Sequence, residues 1–160
     1  MIIMSKIFIL VGLIFMLHSC ERKSNAITRD EESVRKEARS MLHTYLQDMN
    51  SKGLLSEFEY LDESEDFFWV PPGYKSKLDY DSVKSILLKN APVLKSINNQ
   101  WSDLEVYPLS AEHCTYTGEI HSLTVTQNND TTEVDMLETG VLVRRDDGWK
   151  ILCGQSRIKD

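Results

Sequence analysis

The chain has 160 residues, of which 41% are hydrophobic and 27% charged, and its formal net charge is −7 at pH 7. A chain of this length accommodates one domain with a hydrophobic core. The acidic balance excludes nucleic acid as a partner, because phosphate neutralisation requires clustered lysine and arginine.

The N-terminal segment has the pattern of an export signal. Lys6 precedes the apolar run IFILVGLIFML, which ends at Leu17 and is too short to span about 30 Å of hydrocarbon as a helix. The run continues into LHSC, which resembles the lipobox of bacterial lipoproteins, with Cys20 as the acylated residue. The alternative is an ordinary signal peptide in which this cysteine has no role.

This pattern predicts three parts of the chain. Residues 1–19 form a lipoprotein signal peptide, residues 20–28 a lipid-anchored tether, and residues 29–160 one folded domain. Several acyl chains anchor a protein stably where one chain alone is marginal. We therefore expect an exported protein that its lipid holds on a membrane of the cell envelope, at the periplasmic or outer-membrane face, without spanning it.

The first half of the domain has helical patterns. Apolar residues recur at steps of three and four between Val34 and Met49, which predicts an amphipathic helix of about twenty residues. Its start is predicted at a capping box that begins at Thr28, and its end near Gly53. A shorter helical segment is predicted from residue 54 to 60.

The second half is predicted to be mainly β. The run FFWV, residues 67–70, has strand character and is stopped by Pro-Pro-Gly. A helix starts at Asp79 or Asp81 and ends near Pro92. Four strands then follow, at residues 101–109, 111–126, 131–145 and 149–158. Helices followed by a long antiparallel meander indicate an α+β domain.

The last predicted strand follows a two-residue turn at Asp147-Gly148. Strict alternation after that turn places every second side chain on one face, which would meet Leu142 and Arg144 across the hairpin. The residues on that face are Trp149, Ile151, Cys153, Gln155 and Arg157.

The order of elements resembles the nuclear transport factor 2-like superfamily, and within it the SnoaL-like branch. The resemblance rests on FFWVPPG, Gly140, the run RRDDGWKI and the following Gln155 and Ser156, and it covers about residues 30–157. It implies N-terminal helices packed in a strongly curved antiparallel sheet around a cone-shaped cavity. Such proteins include isomerases, cyclases, dehydratases, oligomerisation modules and domains without known activity, so the fold does not give the function.

Aromatic side chains are the candidates for lining this cone. With a polar residue as a handle they could hold an apolar or ring-shaped ligand, although they could equally form plain core. The candidates are Tyr45, Trp69, Tyr74, Trp101 and Tyr116, with Gln155 and Arg157 as the polar handles.

A catalytic role would require a carboxylate or histidine in the apolar cone. Steroid-isomerase-like members place a carboxylate just before a Pro and Gly, where this chain has Trp-Val-Pro-Pro and therefore no base. The remaining candidates are Asp66 and Glu119, acting against Tyr45 or Tyr116. An enzyme is accordingly not the favoured interpretation.

No cofactor or metal is expected from the sequence. His113 and His121 are eight residues apart on one predicted strand, which separates them by about 26 Å, and the chain has no motif for a metal or nucleotide. The favoured function is a lipid-anchored domain that binds a small apolar ligand or a protein partner without catalysis. The alternatives are a small proton-transfer enzyme of the isomerase, hydratase or dehydratase type, and a scaffold that forms homodimers through the outer face of its sheet.

Overall fold

The structure is a computed structural model that describes residues 27–159, with side chains from residue 31. The chain divides into two units, Met1–Asp30 and Glu31–Asp160. The predicted signal peptide and Cys20 lie outside the described residues. Within the described part, no helix combines the length and apolar character needed to cross a membrane.

Two α-helices precede most of the sheet. The first, α1, covers Ile27–Lys52; Thr28 lies inside it, so the predicted capping-box start is wrong. A 3-10 helix at Leu54–Glu59 follows Gly53, whose φ of 92° is in the region that favours glycine. The second α-helix, α2, covers Tyr80–Asn90, and the Asp79 side chain accepts a hydrogen bond from its third residue. A 3-10 turn at Ala91–Val93 then leads into the sheet.

Five strands form one curved, mixed sheet in the order β1-β5-β4-β3-β2. Strand β1 is parallel to β5, whereas the other three pairings are antiparallel. The predicted α+β class is therefore confirmed, with a parallel edge strand added to the meander. Strand β2 is longer than predicted because it begins at residue 94 rather than 101. The strands are β1 at Phe68–Val70, β2 at Leu94–Pro108, β3 at His113–Thr126, β4 at Thr131–Arg145 and β5 at Gly148–Ile158.

The core lies between α1 and one face of the sheet, which we call the inner face. Leu42 on α1, Tyr116 on β3 and Leu142 on β4 are almost fully buried in it. The indole nitrogen of Trp101 donates a hydrogen bond to the carbonyl of Leu42 at 3.0 Å, which ties α1 to β2. We call the region between the inner face, α1 and the first 3-10 helix the cone, and the opposite side of the sheet the outer face.

A β-bulge in β5 changes which side chains face the cone. Leu142 pairs with Ile151, but the preceding Val141 pairs with Cys153, so Leu152 is an extra residue on β5. Ile151 therefore points to the inner face, while Cys153 points to the outer face. The predicted common face of the last strand is wrong beyond Ile151, because strict alternation does not survive the inserted residue.

The free edge of β2 is hydrogen-bonded by side chains of α1. The Asn50 amide donates to the Asn99 carbonyl at 2.8 Å and accepts from the Asn99 N–H at 2.7 Å. Arg35 donates to the Val106 carbonyl at 3.1 Å. These contacts fix α1 along the outermost strand.

Candidate active site

A buried carboxyl and a tyrosine form the first element of the site. Glu138 lies on β4 and is only 6% exposed, and Tyr116 on β3 is 1% exposed. The Tyr116 hydroxyl donates a hydrogen bond to Glu138 at 2.8 Å. The register explains the contact, because Glu138 lies opposite Gly118 and is therefore one step diagonal from Tyr116 on the inner face.

A second carboxyl–tyrosine pair comes from the helices. Tyr45 on α1 is buried, and its hydroxyl donates to Glu57 on the first 3-10 helix at 3.2 Å. Glu57 is half-buried, so this pair reaches from the core toward the surface. The ring of Tyr45 also packs against that of Tyr60, with 5.4 Å between the centroids.

Burial raises the pKa values of all four groups in the two pairs. Loss of water raises the pKa of Glu138 to about 8, opposed by the Tyr116 hydrogen bond and reinforced by the charge of Glu57. Burial likewise raises the pKa of Glu57 to about 7, opposed by the hydrogen bond from Tyr45. The pKa values of both tyrosines are raised well above their usual value, first by burial and then by the nearby carboxyls. The four groups therefore act as one electrostatic unit.

This cluster of Tyr45, Glu57, Tyr116 and Glu138 is what acid–base chemistry requires, namely carboxyls whose pKa values lie near neutral pH in an apolar environment. The acid–base candidates predicted from the sequence included neither Glu57 nor Glu138. We call these four side chains the carboxyl–tyrosine cluster.

Four of the five aromatic residues predicted from the sequence lie at the core, and the fifth lies at the surface. Tyr45 and Tyr116 belong to the carboxyl–tyrosine cluster, and Trp69 and Trp101 are half-buried and pack against the same core. Tyr74, by contrast, is 47% exposed.

Glycines make room for these rings on the inner face. A β-carbon on Gly118 would come within 2.6 Å of the Trp101 ring, and one on Gly154 within 2.5 Å of the Trp69 ring. Gly140 has the same relation to Tyr116, at 2.8 Å. The rings therefore fill the volume that larger residues at these positions would occupy.

The polar residues predicted for the site lie elsewhere. Gln155 and Arg157 follow the bulge and are exposed on the outer face, where Gln155 borders a groove of about 280 Å³. Glu119 is on the outer face and pairs with Lys159 at 2.7 Å, so it cannot act against Tyr116 on the inner face. Asp66 is exposed in the loop before β1.

Comparison with known proteins identifies the fold but no close relative. No family model matches the sequence, and no curated protein matches it. Among solved structures, a candidate scytalone dehydratase from Novosphingobium aromaticivorans aligns with a TM-score of 0.68 and 11% identity, over 78% of this chain and 83% of its own. A nuclear transport factor 2-like superfamily protein from Salmonella enterica aligns with a TM-score of 0.66 and 11% identity, over 81% and 93%. The fold is nuclear transport factor 2-like.

The same fold is found in a solved structure that is named as an enzyme. A hexachlorocyclohexane dehydrochlorinase from Novosphingobium barchaimii aligns with a TM-score of 0.61 and 16% identity, over 78% of this chain and 86% of its own. At such identities the likeness establishes the fold alone. The residues of this chain have to supply the case for any activity.

Within the described residues, no group of three or more histidine, cysteine or acidic side chains is arranged to hold a metal ion. His121 contacts Asp135 at 2.9 Å and Glu133 at 3.3 Å, but through different ring nitrogens.

Proposed function

We propose that the protein is a small proton-transfer enzyme that binds a mainly apolar ligand in the cone. The observation that supports this most directly is the carboxyl–tyrosine cluster, in which Glu138 is buried and hydrogen-bonded to Tyr116. A buried carboxyl with a pKa of about 8 is matched to accepting and returning protons near neutral pH. The solved structures with this fold that are named as a dehydrochlorinase and a candidate dehydratase are consistent with this class of reaction.

The roles follow from the positions of the four groups. The ionised form of Glu138 accepts a proton from a carbon next to a carbonyl group. Tyr45, whose hydroxyl donates to Glu57, can instead donate to the developing enolate oxygen. Because Glu57 is half-buried, it exchanges protons with solvent.

Hydrogen–deuterium exchange into simple apolar ketones tests this proposal without knowledge of the natural substrate. The full-length protein is incubated with 4-phenylbutan-2-one in D₂O, and loss of the proton signals next to the carbonyl is followed by NMR. We expect exchange above the buffer rate, rising with pH toward about pH 8 as Glu138 ionises. Glu138→Gln should lower this rate about a hundredfold.

Asp66→Asn is the matched control, because it also neutralises a carboxyl but at an exposed position. It should leave the exchange rate unchanged. Equal rates for the wild type and Glu138→Gln, or no exchange above buffer, would refute the proposed catalysis.

We also propose that the mature chain is anchored by lipid at Cys20, on the strength of the apolar run and the LHSC sequence. Homodimer formation through the outer face stays a prediction. The feature that favours it is the groove on that face, which Phe68, Val70 and Val141 border together with uncharged polar residues.

A further inference from the structure

The turn between β2 and β3 exposes apolar side chains. Leu109 is 64% exposed, more than any other large hydrophobic side chain that the structure describes, and Tyr107 is 49% exposed. The N–H groups of Leu109 and Ser110 both donate to the His113 carbonyl, at 2.8 and 3.1 Å, and close the turn. We call residues 107–111, Tyr-Pro-Leu-Ser-Ala, the hairpin tip. Single exposed apolar side chains are common, so the position of the hairpin tip in the domain has to show whether it has a role.

The hairpin tip lies beside the first turns of α1. Arg35 on α1 donates to the carbonyl of Val106, the residue just before the tip. Arg144 pairs with Glu37 on α1, and its own N–H donates to the Glu112 carbonyl at 2.8 Å, just after the tip. Two independent contacts thus place the hairpin tip at the end of the domain where the chain enters it.

The length of the chain before the domain limits which end can meet a membrane. Glu31, the first residue of the compact unit, is about eleven residues after Cys20, a distance of at most about 40 Å when the chain is extended. Strand β3, with 14 residues, separates the hairpin tip from the β3–β4 turn by about 45 Å along the strand. A lipid at Cys20 would therefore bring the hairpin tip to the bilayer readily, whereas the β3–β4 turn could reach it only with the chain stretched back along the domain.

The side chains of the hairpin tip suit the surface of a bilayer. Leucine gains free energy when it leaves water for acyl chains, and tyrosine is enriched at the boundary between hydrocarbon and headgroups. The chain has a net charge of −7, so attraction of basic residues to anionic lipid does not supply the contact. Two apolar side chains bind weakly by themselves, but a lipid anchor raises their effective concentration at the membrane.

We infer that the hairpin tip docks on the bilayer that carries the anchor, with Leu109 and Tyr107 at the boundary between hydrocarbon and headgroups. This deepens the proposed anchoring at Cys20 and rests on it. The domain then keeps one orientation on the membrane instead of rotating freely on its tether. The β3–β4 turn points away from the bilayer.

Fluorescence quenching from within the lipid tests the docking. Ser110→Cys and Asn128→Cys, each in a Cys153→Ser background that leaves only the buried Cys114, are labelled with a nitrobenzoxadiazole dye. The acylated protein is placed in phosphatidylethanolamine–phosphatidylglycerol vesicles, with or without a nitroxide on the acyl chains. We expect the nitroxide to quench the dye at residue 110 at least about fivefold more strongly than the dye at residue 128 in the β3–β4 turn. The mass of each protein shows separately whether Cys20 is acylated.

A matched pair of substitutions tests the apolar contact. Leu109→Ser, in the protein labelled at residue 110, should lower the quenching at least about twofold. Val93→Ser is the control: Val93 is also exposed, at 53%, but its carbonyl accepts from Gln127 beside the β3–β4 turn. This change should leave the quenching as it was.

A second arm removes the dependence on acylation. Residues 21–160 are produced behind an N-terminal hexahistidine tag and bound to vesicles that contain a nickel-chelating lipid, which holds the domain on a tether of similar length. The same dye positions are compared. We expect the same preference for residue 110.

The outcomes separate the docking from the anchor. Equal quenching at the two positions, or none at residue 110 in the tagged protein, would overturn the docking even if the mass shows acyl chains. If acyl chains are absent but the tagged protein is quenched at residue 110, the anchor is wrong and the hairpin tip still binds membranes. Dye emission at residue 110 that shifts to the blue with protein concentration, without vesicles and without quenching in them, would identify a second copy of the chain as the occupant and overturn the inference.

Discussion

At the scale of single residues, the proposed chemistry depends on Glu138, whose side chain is buried on the inner face. It occupies an inner-face position of β4, in phase with Met136, Gly140 and Leu142. Burying a carboxyl at this position costs free energy of folding, and the cost is smaller when the carboxyl is protonated. Its effect on stability therefore depends on pH.

The sign of that dependence follows from the pKa of Glu138, which rises from 4.5 to about 8 in the folded protein. Between those pH values the folded state binds more protons than the unfolded state, so stability falls as pH rises. The raised pKa of Glu57 adds to this fall in stability between pH 4.5 and about pH 7. Below about pH 4.5 the two carboxyls are protonated in the folded and in the unfolded state, so they no longer lower the stability of the protein.

We predict that Glu138→Gln flattens the decline in stability with pH. The amide cannot ionise, and its oxygen still accepts the Tyr116 hydrogen bond. The variant should therefore melt at a higher temperature than the wild type at pH 8.5 and show little or no advantage at pH 5. Calorimetric melts at a series of pH values measure this, with Asp66→Asn as the surface control. Parallel curves for wild type and Glu138→Gln would contradict the assignment.

At the scale of elements, much of the fold is readable from the sequence. The periodicity between Val34 and Met49 identifies α1, and alternation identifies β3 and β4. Asp79 correctly marks the start of α2. These features are local, and local spacing is what a single sequence records.

The features that were missed depend on long-range pairing. The extra Leu152 becomes visible only when β4 and β5 are aligned, and it decides which way Gln155 points. Glu57 lies in a 3-10 helix, where no apolar period indicates which side is buried. A signal for Glu138 was present, since it shares the phase of the apolar residues on β4, and a carboxyl in that phase indicates either strain or function.

The bulge gives a direct prediction about accessibility in β5. Single cysteines at Gln155 and at Ser156 are compared in a Cys20→Ser/Cys153→Ser background, in which the buried Cys114 remains. Gln155→Cys should react rapidly with a maleimide, because it is exposed on the outer face, and Ser156→Cys should react more slowly, because it faces the cone. Mass spectrometry over time gives both rates. The reverse order would show that the strand alternates without interruption.

At the scale of the whole molecule, anchoring is the property to test. The tether predicted at residues 20–28 is only a few nanometres long when extended, so a lipid at Cys20 would keep the domain and its cone close to a membrane surface.

We predict that Cys20→Ser releases the exported protein from the membrane. The wild type should remain in the detergent phase of a Triton X-114 separation and carry the mass of the acyl chains, whereas the variant should enter the aqueous phase. Cys153→Ser is the control and should partition with the wild type. Aqueous partition of the wild type would identify an ordinary signal peptide instead.

The contact between Asn50 and β2 has a consequence for solubility. An edge strand as long as β2, Leu94–Pro108, offers a row of backbone groups on which a strand of another molecule could assemble. The Asn50 side chain makes the two hydrogen bonds to the Asn99 backbone that a neighbouring strand would make. Arg35 donates a hydrogen bond to the Val106 carbonyl. Side chains of α1 thus block the addition of a strand at these positions and oppose edge-to-edge aggregation.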